Sequence, residues 1–258
     1  MSKDKIVHLI KQYVKDYSRK KGVRTKWREP IVKFADAEDG LFFELKEIVS
    51  PTHGLPTDFL SDAKTVISYF LPFEKSIVNS NIKGNYSSED WAIAYVETNE
   101  LIFKLNKYIK KEFEALNYKF TIIPATHNFD EENLKSDWSH RHVAYIAGLG
   151  KFGLNNMLIT AKGCCGRIGS IITNLKIEPT KRYDIEYCLY KNKGVCKKCV
   201  DRCINNALKV ESFNRYKCYE ILLENDKLHL EQELTDVCGK CCVNLPCSFT
   251  NPVKIESF

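Results

Sequence analysis

All eleven cysteines of this 258-residue chain fall between Cys164 and Cys247, and residues 1–163 contain none. Thiols concentrated in this way are held either by one another or by a metal, and the compartment decides which. The opening segment MSKDKIVHLIKQYVKDYSRKKG is charged throughout and lacks the apolar run of a secretory signal. Nothing later reaches membrane-spanning length. The expected compartment is the cytoplasm, where thiols stay reduced, so the cysteine-rich segment reads as metal-binding. The chain divides at the same place, into a 1–180 α/β portion that holds a cofactor and a compact 181–258 metal module.

Cys188, Cys196, Cys199 and Cys203 are spaced C-x7-C-x2-C-x3-C; Cys238, Cys241 and Cys247 form a second group, with Cys218 between the two. A C-x2-C pair lets one tight loop aim two thiolates at a single centre. The cysteine that follows, expected at the start of a short helix over Asn205–Lys209, points away from that loop. In two-cluster ferredoxins such a cysteine serves the other cluster. This crossed arrangement assigns Cys188, Cys196, Cys199 and Cys247 to one [4Fe–4S] cluster, and Cys203, Cys218, Cys238 and Cys241 to a second. Cys164, Cys165 and Cys242 remain over, with Cys242 an alternative to Cys188. A zinc ribbon on Cys196, Cys199, Cys238 and Cys241 would need only four thiolates and leave the other four unexplained. The formal net charge of +6 counts every cysteine as neutral. Two clusters, each roughly −2 with its four thiolates, would lower it to about +2. The basic stretch Arg19, Lys20, Lys21, Arg24, Lys26 and Arg28 reads as a solvated helix end, or else as a patch for RNA or an acidic partner.

Upstream, Ile6, Val7, Ile10, Tyr13, Val14 and Tyr17 recur at helical spacing. Strands are expected at Ile31–Ala35, Thr65–Leu71, Lys119–Pro124, Met157–Thr160 and Ile168–Thr173, and helices at Leu41–Val49 and His140–Ala147. Ser87 or Ser88 caps a long helix whose buried stripe is Trp91, Tyr95, Ile102, Leu105, Ile109, Phe113 and Leu116. Alternating helices and strands predict an α/β architecture.

The run Arg141-His142-Val143-Ala144-Tyr145-Ile146-Ala147-Gly148-Leu149-Gly150-Lys151-Phe152-Gly153-Leu154-Asn155, taken with the cysteines behind it, resembles the epoxyqueuosine reductase family, relatives of the reductive dehalogenases. The Gly169–Leu175 strand, the Phe213–Glu224 segment carrying Cys218, and Asp62–Ile67 are also similar. The resemblance implies a nitroreductase-like α/β domain holding cobalamin, followed by a ferredoxin-like module with two [4Fe–4S] clusters. The chemistry it implies is reductive. A low-potential ferredoxin or flavodoxin would supply electrons, and a small molecule or modified base would be the substrate. Arg141, Gly148, Gly150, Gly153 and Asn155 become the cofactor contacts. As a dinucleotide fingerprint the glycine run fails, because it follows a helical stretch and not a strand; read alone, it is a structural turn.

The family's acidic residue, seven positions before its arginine, is Leu134 here, and the lysine before its asparagine is Leu154. Asp137 and His140 are the candidate catalytic pair in its place, with His142 nearby, since histidine moves protons near neutral pH. The longer reductases continue beyond the position of Phe258 with a helical region that helps hold transfer RNA, so the resemblance leaves the RNA substrate open. Cys164-Cys165, between Gly163 and Gly166, has no counterpart in those reductases and reads either as idle thiols or as a redox or cofactor contact. A second function class is an electron carrier or activator without a substrate of its own.

Overall fold

The computed structural model describes residues 1–124 and 129–253. Ser2 opens the first helix, α1 (Lys3–Tyr17), by accepting the Lys5 N–H on its hydroxyl. The helix buries Ile6, Leu9, Ile10, Val14 and Tyr17, with Val7 and Tyr13 only half-buried at the edge of the stripe. Strand β1 (Ile31–Asp36), helix α2 (Leu41–Ile48), the single turn α3 (Pro56–Phe59), strand β2 (Thr65–Pro72) and helix α4 (Lys75–Ser80) follow. Ser88 caps α5 (Glu89–Glu114), accepting the Trp91 N–H. This helix ends because Asn117 takes a left-handed φ of 60° and lets Tyr118 N–H reach back to the Phe113 carbonyl. Leu116 therefore lies beyond the helix and is 50% exposed, instead of continuing the buried stripe.

Next come β3 (Phe120–Ile122), the hairpin of β4 (Phe129–Asp130) and β5 (Lys135–Ser136), helix α6 (His140–Ile146), the hairpin of β6 (Gly150–Phe152) and β7 (Leu158–Thr160), and β8 (Gly166–Thr173). The main sheet has the order β1-β2-β8-β3, and every pairing in it is antiparallel. The alternation of helices and strands thus gives a mixed fold, but without the parallel crossovers of a doubly wound sheet. β2, buried at all eight positions, is the centre. Its Ile67, Tyr69 and Leu71 join α1 and α5 on one face, while Val66 packs with α2 and α6 on the other. The result is three layers, helices on both sides of one sheet.

The cysteine-rich segment contributes α7 (Leu189–Lys193), α8 (Lys198–Asp201), α9 (Arg215–Leu228) and a 3-10 turn at Lys240–Cys242. The helix expected over Asn205–Lys209 is absent. Asn206 has a φ of 50°, Leu208 bridges to Phe213 as extended chain, and the one-turn helix α8 precedes Cys203 instead of following it. Cys188, Cys242 and Val243 pack into the same core as α1 and α5. Arg28 fastens the two ends of the chain: its guanidinium donates to the carbonyls of Phe73 (3.0 Å), Phe249 (3.1 Å) and Lys162 (2.7 Å). A boundary after residue 180 therefore separates the metal module in sequence but not in packing, and residues 254–258 of that expected module lie outside the described residues.

The basic stretch after α1 is largely used internally. Arg24 pairs with Glu89 and Asp90, Lys26 reaches the Ser18 carbonyl, and Arg28 makes the contacts above. Among the described residues no helix is long and apolar enough to cross a membrane.

Candidate functional site

The eight cysteines read as ligands divide between two cavities. Cys188, Cys196, Cys199 and Cys247 line one, walled by Leu154, Ile159, Leu245 and Pro246. Cys203, Cys218, Cys238 and Cys241 line a second, far larger one of about 980 Å³. Local structure explains the grouping. Cys188 caps α7, and Cys199 lies in the single turn of α8. The chain then leaves α8, and Cys203 accepts the Leu208 N–H on its sulfur at 3.3 Å. Cys218 sits one turn into α9, whose cap Asn214 accepts the Lys217 N–H. Gly239, at φ 71°, turns the loop between Cys238 and Cys241 flat against Trp91, where a β-carbon would stand 2.3 Å from the ring. Cys242, the alternative to Cys188, borders the large cavity and not the first one.

The thiols feel one another both within each set and across the two. Burial, then Cys241, Cys247 and Cys188, push the Cys199 thiol up to about 12. Burial, then Cys241, Cys238 and Cys203, push Cys218 up to about 12 as well, and burial raises Cys238 to about 11. Four such sulfurs ionise together only around a positively charged centre. Among the described residues, no three His, Cys, Asp or Glu side chains are close enough to hold a single metal ion. Each set surrounds a space instead of meeting at a point.

Charge in the large cavity is one-sided. Lys135, Arg141, Arg167, Lys191, Arg215 and Lys240 line it, against Asp236 as the single carboxylate among the described lining residues. Lys240 is 1% exposed, and its ammonium donates to the carbonyls of Asn81 and Lys83 at 3.0 and 2.7 Å. Arg141 donates to the Asn156 carbonyl at 2.8 Å. Arg167 lies 4.3 Å from the centre of the Tyr95 ring, and the Tyr95 hydroxyl donates to Asp236 at 2.5 Å. Arg141, Arg167 and Arg215 face a single carboxylate there, and such an excess of cations favours an anionic occupant.

The remaining sequence candidates are dispersed. Asn155 borders both cavities, and its amide donates to the Cys241 carbonyl at 2.7 Å, tying the β6–β7 hairpin to the second thiol set. Gly153 borders the first cavity; Gly148 and Gly150 border neither of the two. A β-carbon on Gly150 would stand 2.1 Å from the Ile159 carbonyl oxygen, so that glycine permits the close approach of β7. Asp137 is exposed and accepts the Thr52 hydroxyl at 2.5 Å. His140 has both ring nitrogens engaged, with the Ser170 hydroxyl and the Pro124 carbonyl, each at 2.8 Å. Neither of this pair lines the large cavity, whereas His142 does. Its ring packs 4.8 Å from that of Phe152, and its Nδ1 bonds the Ser139 hydroxyl. Leu134, at φ 51° in the β4–β5 turn, also lines the cavity, and Arg215 grips that turn through the Asn133 and Leu134 carbonyls. Sequence reading missed Tyr95, Arg167 and Asp236. Tyr95 had been placed in the core stripe of α5, and no local signal joins it to a residue 141 positions away.

Burial depresses the His140 imidazole to about 4, against an ordinary value near 6.5. The unfolded chain therefore takes up the proton first. The His140 contribution is complete above pH 6.5 and is lost as pH falls toward 4, by roughly 3 kcal/mol. A His140→Gln variant is expected to have a flatter stability profile across that window than the wild type, measured by denaturant midpoints at each pH. Parallel profiles would show that His140 is not held neutral.

The fold matches solved structures. An epoxyqueuosine reductase from Streptococcus thermophilus aligns with a TM-score of 0.53 and 20% identity, over 96% of this chain and 69% of its own. An epoxyqueuosine reductase solved with an epoxyqueuosine-modified tRNA-Tyr stem loop gives 0.53 and 20%, over 94% and 66%. A catabolic reductive dehalogenase in complex with 3-bromo-4-hydroxybenzoic acid gives 0.58 and 13%, over 86% and 30%. This chain thus has the mixed α/β fold that these reductases share, as the glycine run and the cysteines led us to expect, and spans about two thirds of the epoxyqueuosine reductase chains. No family model and no curated protein sequence matches it.

Proposed function

We propose that the chain is an iron–sulfur reductase carrying two [4Fe–4S] clusters and a corrinoid. In this reading a nitroreductase-like portion, residues 1–180, is serviced by a ferredoxin-like module over residues 181–258. The observation that carries it is the division of eight thiols into two sets of four around separate cavities, the second set opening onto the large one. Cys188, Cys196, Cys199 and Cys247 would hold one cluster, and Cys203, Cys218, Cys238 and Cys241 the other. The donor set fits: the four sulfurs of each set line one space, and buried Lys240 and the Arg141 guanidinium stand beside the second set to offset its negative charge. The large cavity fits a corrinoid in size and charge, being at the upper end of small-molecule sites and lined by six cations suited to a phosphate-bearing ligand. When bound, the clusters would supply single electrons and the corrinoid the reductive chemistry at cobalt.

The chain's own residues have narrower tasks. Phe129, Leu134 and Phe152 make the cavity wall apolar and limit water. Tyr95 holds a proton at its hydroxyl oxygen against Asp236, with Arg167 beside the ring, and is the best-placed acid on that wall. Burial and Arg141 depress His142 to about 4, which keeps it neutral and leaves it an orienting role beside Phe152. The substrate class is a small molecule or modified base. An epoxyqueuosine reductase of the same fold has been solved with a modified tRNA stem loop, which favours keeping the base in view. Three exposed lysines, Lys193, Lys197 and Lys198, flank Cys196 of the first thiol set in sequence. They suit an acidic low-potential donor of the ferredoxin or flavodoxin type.

Anaerobic titration with cobalamin tests the corrinoid: the wild type is expected to bind one equivalent, with altered corrin absorption. An Arg167→Leu variant should bind at least tenfold more weakly with its iron content unchanged. No binding by iron-replete wild type would leave an electron carrier without a substrate. Reversing Lys193, Lys197 and Lys198 to glutamate should slow reduction by an acidic donor at low salt and remove most of its salt dependence. Unchanged rates would place the donor elsewhere.

A further inference from the structure

Cys164, Cys165 and Cys242 are left over from the two sets, and they lie together. Each is no more than 3% exposed. Gly163, at φ 83°, brings its turn onto residues 247–248 so closely that a β-carbon there would stand 2.3 Å from the Ser248 carbonyl oxygen. The Cys164 N–H donates to the Cys247 carbonyl at 2.9 Å. The Cys164 thiol donates to the Cys242 carbonyl at 3.8 Å, and the Cys242 sulfur lies 3.9 Å from that of Cys241. Cys164 is thus tied to Cys247 through its backbone and to Cys242 through its thiol, between one thiol set and the other. Cys164 and Cys242 border the large cavity. Cys165 does not, and its thiol donates to the Cys242 carbonyl at 3.1 Å.

We propose that Cys164 and Cys242 form a redox-active dithiol, reached from the large cavity by small disulfides. It rests on the cluster reading only for the identity of its neighbours. One thiol loses its proton and attacks a sulfur of the small disulfide, whose departing thiolate takes up that proton. The second thiol then attacks the mixed disulfide, forming the Cys164–Cys242 bond and releasing the other half as a thiol. Two electrons and two protons pass to the small disulfide; one S–S bond breaks and one forms. Such a couple moves electrons in pairs, with protons, beside two sites that would move them singly.

The test treats the iron-loaded protein, without oxygen and before any corrinoid is added, with 2-hydroxyethyl disulfide, followed by alkylation, peptide mapping and iron analysis. The expected result is a polypeptide lighter by two hydrogens, a peptide pair joining Cys164 to Cys242, undiminished iron, and reversal by dithiothreitol. Cys165→Ser should still form the link. Cys242→Ser should stop at a mixed disulfide on Cys164. Unmodified thiols with iron retained, a Cys164–Cys165 link, or a link that appears only as iron is lost would each overturn the proposal. Iron content reports on the clusters and the peptide map on the dithiol, so either reading can fail alone.

Discussion

Alanine at Cys203 and alanine at Cys241 should each remove the same cluster, and alanine at Cys199 the other. The wild type, purified without oxygen, is expected to be brown and to contain about eight iron and eight sulfide. Each single variant should fall to about half of that. Magnetic coupling between the two reduced clusters should vanish from its electron paramagnetic resonance spectrum, leaving a simple one-cluster signal. The partition follows the cavities: Cys203 and Cys241 line one, Cys199 the other. It does not follow from a helix after Cys203, since α8 ends before that residue. Loss of a ligand should also loosen the module, because metal binding and folding are coupled in so small a core. Loss of one and the same signal in the Cys199 and Cys203 variants would refute the crossed arrangement. A colourless protein with stoichiometric zinc would refute the clusters altogether.

The second large effect is expected at Gly150→Val. The β-carbon alone would stand 2.1 Å from the Ile159 carbonyl oxygen and 2.8 Å from its carbon, both backbone atoms that cannot rotate away. Overpacking of this kind costs about 3 kcal/mol or more, and the β6–β7 hairpin carries Asn155 to the Cys241 loop. Thermal unfolding should show a marked loss of stability, while the folded fraction should still bind cobalamin as the wild type does. A stable variant with weakened binding would instead place a ligand on the glycine itself.

The cysteines were the most legible part of the chain because ligand spacing is a local property. The C-x2-C pairs and the solitary Cys218 already suggested two sets, and the cavities group them in the same way. The long elements were legible through their apolar periodicity; α1, β2 and α5 lie where it indicated. The residues proposed to handle protons were not. Asp137 and His140 are near Arg141 in sequence, but one step along a helix turns a side chain by about 100°, so His140 faces Ser170 while Arg141 faces the cavity. Tyr95, Arg167 and Asp236 come from a helix, a strand and a loop far apart in the chain, and only the sheet and the docked module bring them together. At Gly150 the run has a reason invisible in sequence, since backbone from β7 fills the space a side chain would need.

The grip of Arg28 on the Phe249 carbonyl has a consequence for biosynthesis. A ribosome releases the α1–β1 region long before residue 249 appears, and during that interval the guanidinium lacks one of its three carbonyl partners. The turn at Gly163, against which Ser248 must lie, waits equally long. The nascent chain thus has its sheet strands in hand but cannot seal the cavity walls, and the first thiol set stays one cysteine short until Cys247 emerges. Leu245, Pro246, Cys247 and Pro252 are thus the last walls of the first cavity to be made.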